Sequence, residues 1–291
     1  DHGLQPLLHR IAHGLKGLLT LALAIAALAP GGVLADEWER HPLLDARWRL
    51  SIGGFFQTTD SELSVSRPDS NKPKPRIDFE EALGLSQHDT RISGHVYWKF
   101  GKKWSVALQY LDREATASAA LAKDLDWEGD TIPAGLTATG GVSNEVYRLF
   151  FGRTFSQGSN HEFGAGLGAH WLEIGAFIEG EFFLDEESLG FERRNVSAGA
   201  PLPNVGAWYT YAFSNRWAAT VRADYFSASF NEYSGGLTNM AAGIQFQAWR
   251  NVAFGLDYNY LSLDVDVDAD DWIGSADFVR KGPFAHLTLS W

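Results

Sequence analysis

The sequence predicts an all-β fold, a transmembrane antiparallel up-and-down β-barrel of about ten strands, with eight or twelve as the neighbouring counts. Three observations lead there. Beyond residue 36 no helical period is sustained, whereas alternation of apolar and polar residues recurs along the chain. The 291 residues include 30 Gly, 11 Trp, 9 Tyr and 19 Phe, yet few long aliphatic runs. The connections between alternating segments sort by turns into short and long, as the two ends of an outer-membrane barrel require.

Composition removes several other classes. With no Cys there is no disulfide framework, thiolate metal site or Cys nucleophile. A formal charge of −12, from 24 Lys+Arg against 36 Asp+Glu, argues against nucleic acid as a partner. Modest hydropathy excludes a polytopic helical membrane protein.

Residues 1–35 read as a cleaved signal peptide. Arg10 and Lys16 precede an apolar run from Leu18 to Ala29, and Val33-Leu34-Ala35 precedes Asp36, which places cleavage between Ala35 and Asp36. The run is shorter than the roughly 20 residues a spanning helix needs. Residues 36–45 then form a short periplasmic segment, and 46–291 the barrel.

Each strand is read from its alternation, with the lipid-facing set named here. The first carries Trp48, Leu50, Ile52, Gly54 and Phe56. The second carries Ile92, Gly94, Val96, Trp98 and Phe100, and the third Trp104, Val106, Leu108 and Tyr110. Tyr147, Leu149 and Phe151 belong to the fourth. Phe163, Ala165, Leu167, Ala169 and Trp171 make the fifth. Val205, Ala207, Tyr209, Tyr211 and Phe213 follow, then Trp217, Ala219, Val221, Ala223 and Tyr225. The eighth has Met240, Ala242, Ile244, Phe246 and Ala248. The ninth has Val252, Phe254, Leu256, Tyr258 and Tyr260. Ala285, Leu287, Leu289 and Trp291 close the chain.

Short turns are expected near 101–103, 156–160, 214–215 and 250–251. Long polar connections are expected near 61–88, 118–142, 175–200 and 262–277, with a shorter one near 230–236. Trp127 and Phe182 lie in strand-like surroundings, so some long connections should rise above the membrane as hairpins. Rings flank every short turn: Phe100 and Trp104, Phe155 and Phe163, Phe213 and Trp217, Trp249 and Phe254. Such rings suit a membrane–water interface. Gly164, Gly166 and Gly168 fall on the inward face, where a small barrel is crowded.

The last strand, Gly282 to Trp291, resembles the C-terminal strand of outer-membrane barrels, where alternate apolar residues and a terminal aromatic are read by the barrel-assembly machinery. That resemblance assigns the assembly signal to Leu287, Leu289 and Trp291, with Trp in place of the usual Phe. The chain as a whole resembles small barrels of the outer-membrane protein A-like and W-like groups. The stretches 77–85, 127–130, 133–135 and 200–203 resemble a proteobacterial family of such barrels without clear activity. These resemblances imply the outer membrane of a Gram-negative bacterium, contact with lipid and lipopolysaccharide, and a monomer.

The candidate lumen network comprises Arg49, Arg91, His95, Arg148, Arg222, Asp224 and Asp257, together with Arg47, Lys99, Gln109, His170, Gln245, Asn259 and His286. One reading is a narrow porin-like path for small solutes. The favoured one is a network of ion pairs and hydrogen bonds that fills a barrel too narrow to conduct. The acids Asp264, Asp266, Asp268, Asp270 and Asp271 share hard oxygen chemistry with calcium sites. They lack the Gly and Glu positions of a calcium loop, which favours a solvated rim. His286-Leu287-Thr288 resembles the His-x-Ser pair of lipid A deacylase barrels, but Thr replaces Ser and the register points inward. His88-Asp89 lies at a loop edge. No nucleophile, base and orienting group is evident from sequence, so no enzyme and no cofactor are expected. The expected role is structural or surface-interacting, through long outer loops.

Overall fold

The computed structural model describes residues 40–66, 76–127, 130–184, 187–230, 233–268 and 273–291. The chain divides into two units, Asp1–Glu39 and Arg40–Trp291, and the described residues belong to the second. The segment read as a signal peptide and the cleavage expected between Ala35 and Asp36 lie outside them, as do Arg67 to Pro75 of the first long connection, Asp270 and Asp271.

A short helix, α1 (Pro42–Asp45), precedes β1 (Trp48–Ser66) and β2 (Ile77–Asp78). Helix α2 (Phe79–Leu83) leads to β3 (His88–Phe100) and β4 (Trp104–Ala120). Two brief strands, β5 (Leu125–Trp127) and β6 (Asp130–Ile132), precede β7 (Thr137–Gln157), β8 (His161–Leu184) and β9 (Glu187–Ala212). The chain ends with β10 (Trp217–Phe230), β11 (Tyr233–Trp249), β12 (Val252–Asp268) and β13 (Ile273–Ser290).

Ten of these strands form one ring in the order β1-β3-β4-β7-β8-β9-β10-β11-β12-β13, and β13 pairs back onto β1. Every pairing is antiparallel. Closure is what hydrocarbon demands, because an open sheet edge would leave backbone groups unpaired. Arg49 pairs with Ser290, so the first and last strands of the barrel meet at one end.

The predicted faces hold except at Val252, which is buried where β11 and β12 shift register. Leu50, Ile92, Leu149, Leu167, Val221, Ile244 and Leu256 are exposed on the outer wall, as are the rings beside the short turns, Phe100 alone among them being half-buried. Those rings form a girdle: Trp48 stacks on Trp98 at 5.2 Å, and Trp104 lies 5.1 Å from Phe151. The inward glycines make room for one large ring. A Cβ at Gly152 would sit 2.6 Å from the Trp208 indole, and Gly164 faces the same ring.

The predicted connections are a correction in length. The spans read as 118–142, 175–200, 230–236 and 262–277 are largely strand. Thus β8 runs 24 residues and β9 runs 26, against the roughly 9–11 that cross a membrane. Beyond the hydrocarbon, water accepts exposed polar side chains on both faces, so pairing continues without the apolar dyad that marks the spanning part. The first connection behaves differently. Its end turns inward as β2 and α2, the latter capped by Asp78, whose Oδ1 accepts from Glu81 N at 2.8 Å, and stopped by Gly84 at φ +69°.

Candidate functional site in the barrel lumen

The lumen is layered. At the short-turn end, α1 packs Leu43 and Leu44 against Ala212 and Ala218. Above it lies a chamber of about 190 Å³ lined by Arg49, His95, Tyr97, Arg148, Arg222, Asp257 and others. Phe284 forms the next layer, with His95 and His286 stacked on it at 5.1 and 4.8 Å. Beyond Phe284, Val146, Leu172, Leu237, Leu261, Leu263 and Phe278 make an apolar band. At the long-connection end, Phe79 and Leu83 of α2 join Trp127, Ile132, Ile178 and Phe182 in a second apolar core.

Nine of the sequence-predicted network residues line the chamber, and a tenth, Asp224, reaches it through Arg148. Arg148 donates through Nε and Nη2 to the two Asp224 oxygens at 2.7 and 3.0 Å, a bidentate pair with both side chains buried. Arg222 donates to Gln109 Oε1 at 3.3 Å, and the Arg49 guanidinium stacks 3.6 Å over Tyr97. Asp257 lies 3.2 Å from His286 Nε2. Arg91 stands apart from the chamber; it pairs with Asp89 at 2.6 Å and donates to the Glu114 carbonyl.

Other partners come from residues the sequence reading did not single out. Lys99 pairs with Glu162, which also accepts from Trp208 Nε1 at 3.3 Å. His170 lies between Asn204 at 3.1 Å and Asn239 at 3.0 Å. Nearer the upper core, Arg113 donates to Glu80 at 3.2 Å, Ser61 Oγ at 3.2 Å and the Ser86 carbonyl at 2.9 Å. Alternation places Arg113 and Glu162 inward, a usable signal. It is silent on Glu80, which arrives on α2.

The sequence already set His286 and Thr288 on one inward face; the acid beside them comes from another strand. His286 Nδ1 lies 3.1 Å from Thr288 Oγ1, and Asp257 stands 3.2 Å from its other nitrogen, so a hydroxyl, a base and a carboxylate are neighbours. The set has the members of a nucleophilic triad. Thr288, however, is buried and its hydroxyl also shares a 2.8 Å hydrogen bond with Ser51. That geometry fits a held network more closely than a presented nucleophile. Asp264 and Asp266, from the acidic run, are exposed on β12.

Below the chamber, α1 begins with Pro42 at its first position and His41 as N-cap, whose Nδ1 accepts from Leu43 N at 3.2 Å. Burial holds the His41 imidazole below its ordinary pKa. Its neutral form therefore stabilises the docked helix above the unfolded value of about 6.5, and that contribution is lost as pH falls through the lowered value. Protection of the Leu43 and Leu44 amides, taken relative to the intrinsic exchange rate at each pH, should fall between pH 7 and pH 5. In His41→Asn, which keeps a capping oxygen, it should not; an equal fall in both proteins would exclude His41 as the cause.

No protein-family model matches the sequence, and no curated protein matches it. Solved structures do. The outer membrane protease OmpT from Escherichia coli superposes with a TM-score of 0.56 at 10% identity, over 84% of this chain and 96% of that one. The outer membrane protein OprG from Pseudomonas aeruginosa matches at TM-score 0.36 and 13% identity, over 87% of this chain and 99% of that one. Ail, the attachment invasion locus protein of Yersinia pestis, matches at 0.26 and 13%, over 82% and 98%. The likeness to the first establishes the fold as that of an outer-membrane β-barrel.

Proposed function

We propose that this chain is a closed barrel of the Gram-negative outer membrane that works through its outer end, as a structural and surface-contact protein rather than an enzyme. On this reading the short turns face the periplasm and the long hairpins the exterior. The observation that carries it is the apolar core across the upper lumen, where Phe79, Trp127, Ile132, Ile178 and Phe182 are fully buried. Ions do not cross a dry apolar layer of that kind. The outer strand extensions supply the contact surface. Near the tip of the β8–β9 hairpin Leu189 is 41% exposed and Phe191 70% exposed.

Purified protein in planar bilayers should give no conductance steps at several salt concentrations. Cells bearing it should bind host matrix or lipopolysaccharide, and trimming residues 179–195 should abolish that binding while surface display persists. Stepwise conductance of the unaltered protein would instead support the narrow-channel alternative.

A further inference from the structure

The lumen chamber carries more cation than the fold uses. Around it Asp224 is held by Arg148 and Glu162 by Lys99, while Asp257 stands 3.2 Å from the His286 ring and, with Asp224, acts on Arg222 only through its field. Arg49 and Arg222 line the same chamber, and neither has a carboxylate at ion-pairing distance among the described residues. Arg222 meets a neutral amide oxygen, that of Gln109. Arg49 meets the face of Tyr97. Two donors at this wall, Arg49 Nε and Tyr97 Oη, are buried and without a hydrogen-bond partner. Buried guanidinium groups ordinarily find an anion, because leaving one uncompensated is costly.

We propose that the chamber is a binding site for a small tetrahedral oxyanion, inorganic phosphate, held between Arg49, Tyr97 and Arg222. The chemistry matches the donors. A guanidinium presents two parallel N–H groups to two oxygens of one anion, which a carboxylate or phosphate supplies and chloride does not. The size matches too: about 190 Å³ exceeds by far the roughly 10–15 Å³ that one water needs. Asp257 and the Asn259 amide oxygen border the same space, so an anion small enough to stay clear of them is preferred over a bulky polyanion. The proposal goes beyond the surface-contact reading and does not depend on it.

Isothermal titration of the full-chain barrel in neutral detergent with inorganic phosphate tests it, with chloride at equal ionic strength as the control. Saturable phosphate binding is expected, weakened at least tenfold in Arg222→Gln and in Arg49→Gln. Thermal melts of the same proteins guard against misfolding. Phosphate should raise the melting temperature of the unaltered barrel and leave that of Arg222→Gln unmoved, as binding linkage requires. Without phosphate, Arg222→Gln should still give a single cooperative melt, which shows that it folds. Absence of saturable phosphate binding, equal response to chloride, or binding that survives both substitutions would overturn the proposal. A conducting or non-adhesive barrel would bear on the surface-contact reading alone.

Discussion

Asp224→Asn should destabilise the barrel by about 3–5 kcal/mol, and should cost more than Arg148→Met. The pair is symmetrical in geometry but not in charge. Asp224 accepts two hydrogen bonds from Arg148 and also sits in the field of Arg222. Neutralising the acid leaves two guanidinium groups facing each other in a buried lumen. Removing Arg148 leaves the carboxylate with Arg222 still near, so part of the compensation survives. The double variant Arg148→Met/Asp224→Asn restores the balance of charge and should recover much of the loss. Fit is a secondary matter, because Gly206 already leaves room for the Asp224 carboxylate. Urea unfolding in lipid vesicles reads all three values. A cost below about 1 kcal/mol for Asp224→Asn would mean that the pair behaves as a solvated one. A larger cost for Arg148→Met would reverse the argued role of Arg222.

How much of this was legible follows from where hydrocarbon ends. In the spanning region lipid permits no polar side chain outside, so alternation marks each strand, and Leu149, Val221 and Ile244 could be assigned to the outer wall from sequence. The same parity turned Arg148, Asp224 and Asp257 inward. It does not say which acid meets which base, because partners such as Arg148 and Asp224 lie 76 residues apart on β7 and β10, which two other strands separate in the ring. Past the membrane the constraint relaxes, and the outer halves of β8 and β9 looked like polar connection. Helices α1 and α2, of four and five residues, are too short to show a period. Their cap residues, His41 with Pro42 and Asp78 with Glu81 and Gly84, are local signals that were there to be used. That α2 folds inward and brings Glu80 to Arg113 is a long-range outcome with no local trace.

Phe79→Ala should cost about 3–5 kcal/mol and should also unseal the upper lumen. Phe79 is fully buried, meets the Trp127 ring edge-on at 6.3 Å, and is the first residue of the helix that closes the outer end. Its removal takes out the contact between α2 and the β5–β6 hairpin, and the space left is bordered by Leu83, Ile132 and Phe182 of the same core. Two anchors would still hold α2 in place. The β2 strand that leads into it pairs with β1, and Glu80 accepts from Arg113 and from Ser61 N at 2.9 Å. The ten-strand ring does not run through α2, so the barrel should stay closed while its upper layer loosens. Energetic loss and electrical behaviour are therefore separable. Equilibrium unfolding should report the stability loss, and planar bilayers should show brief conductance steps in Phe79→Ala where the unaltered protein is silent. Adding Glu80→Gln should lengthen those steps, because it frees the second anchor. If Phe79→Ala is destabilised as expected yet stays silent, the barrier lies lower, in the Leu261–Phe278 band. If it conducts with no loss of stability, the upper core is a seal that contributes little to holding the fold.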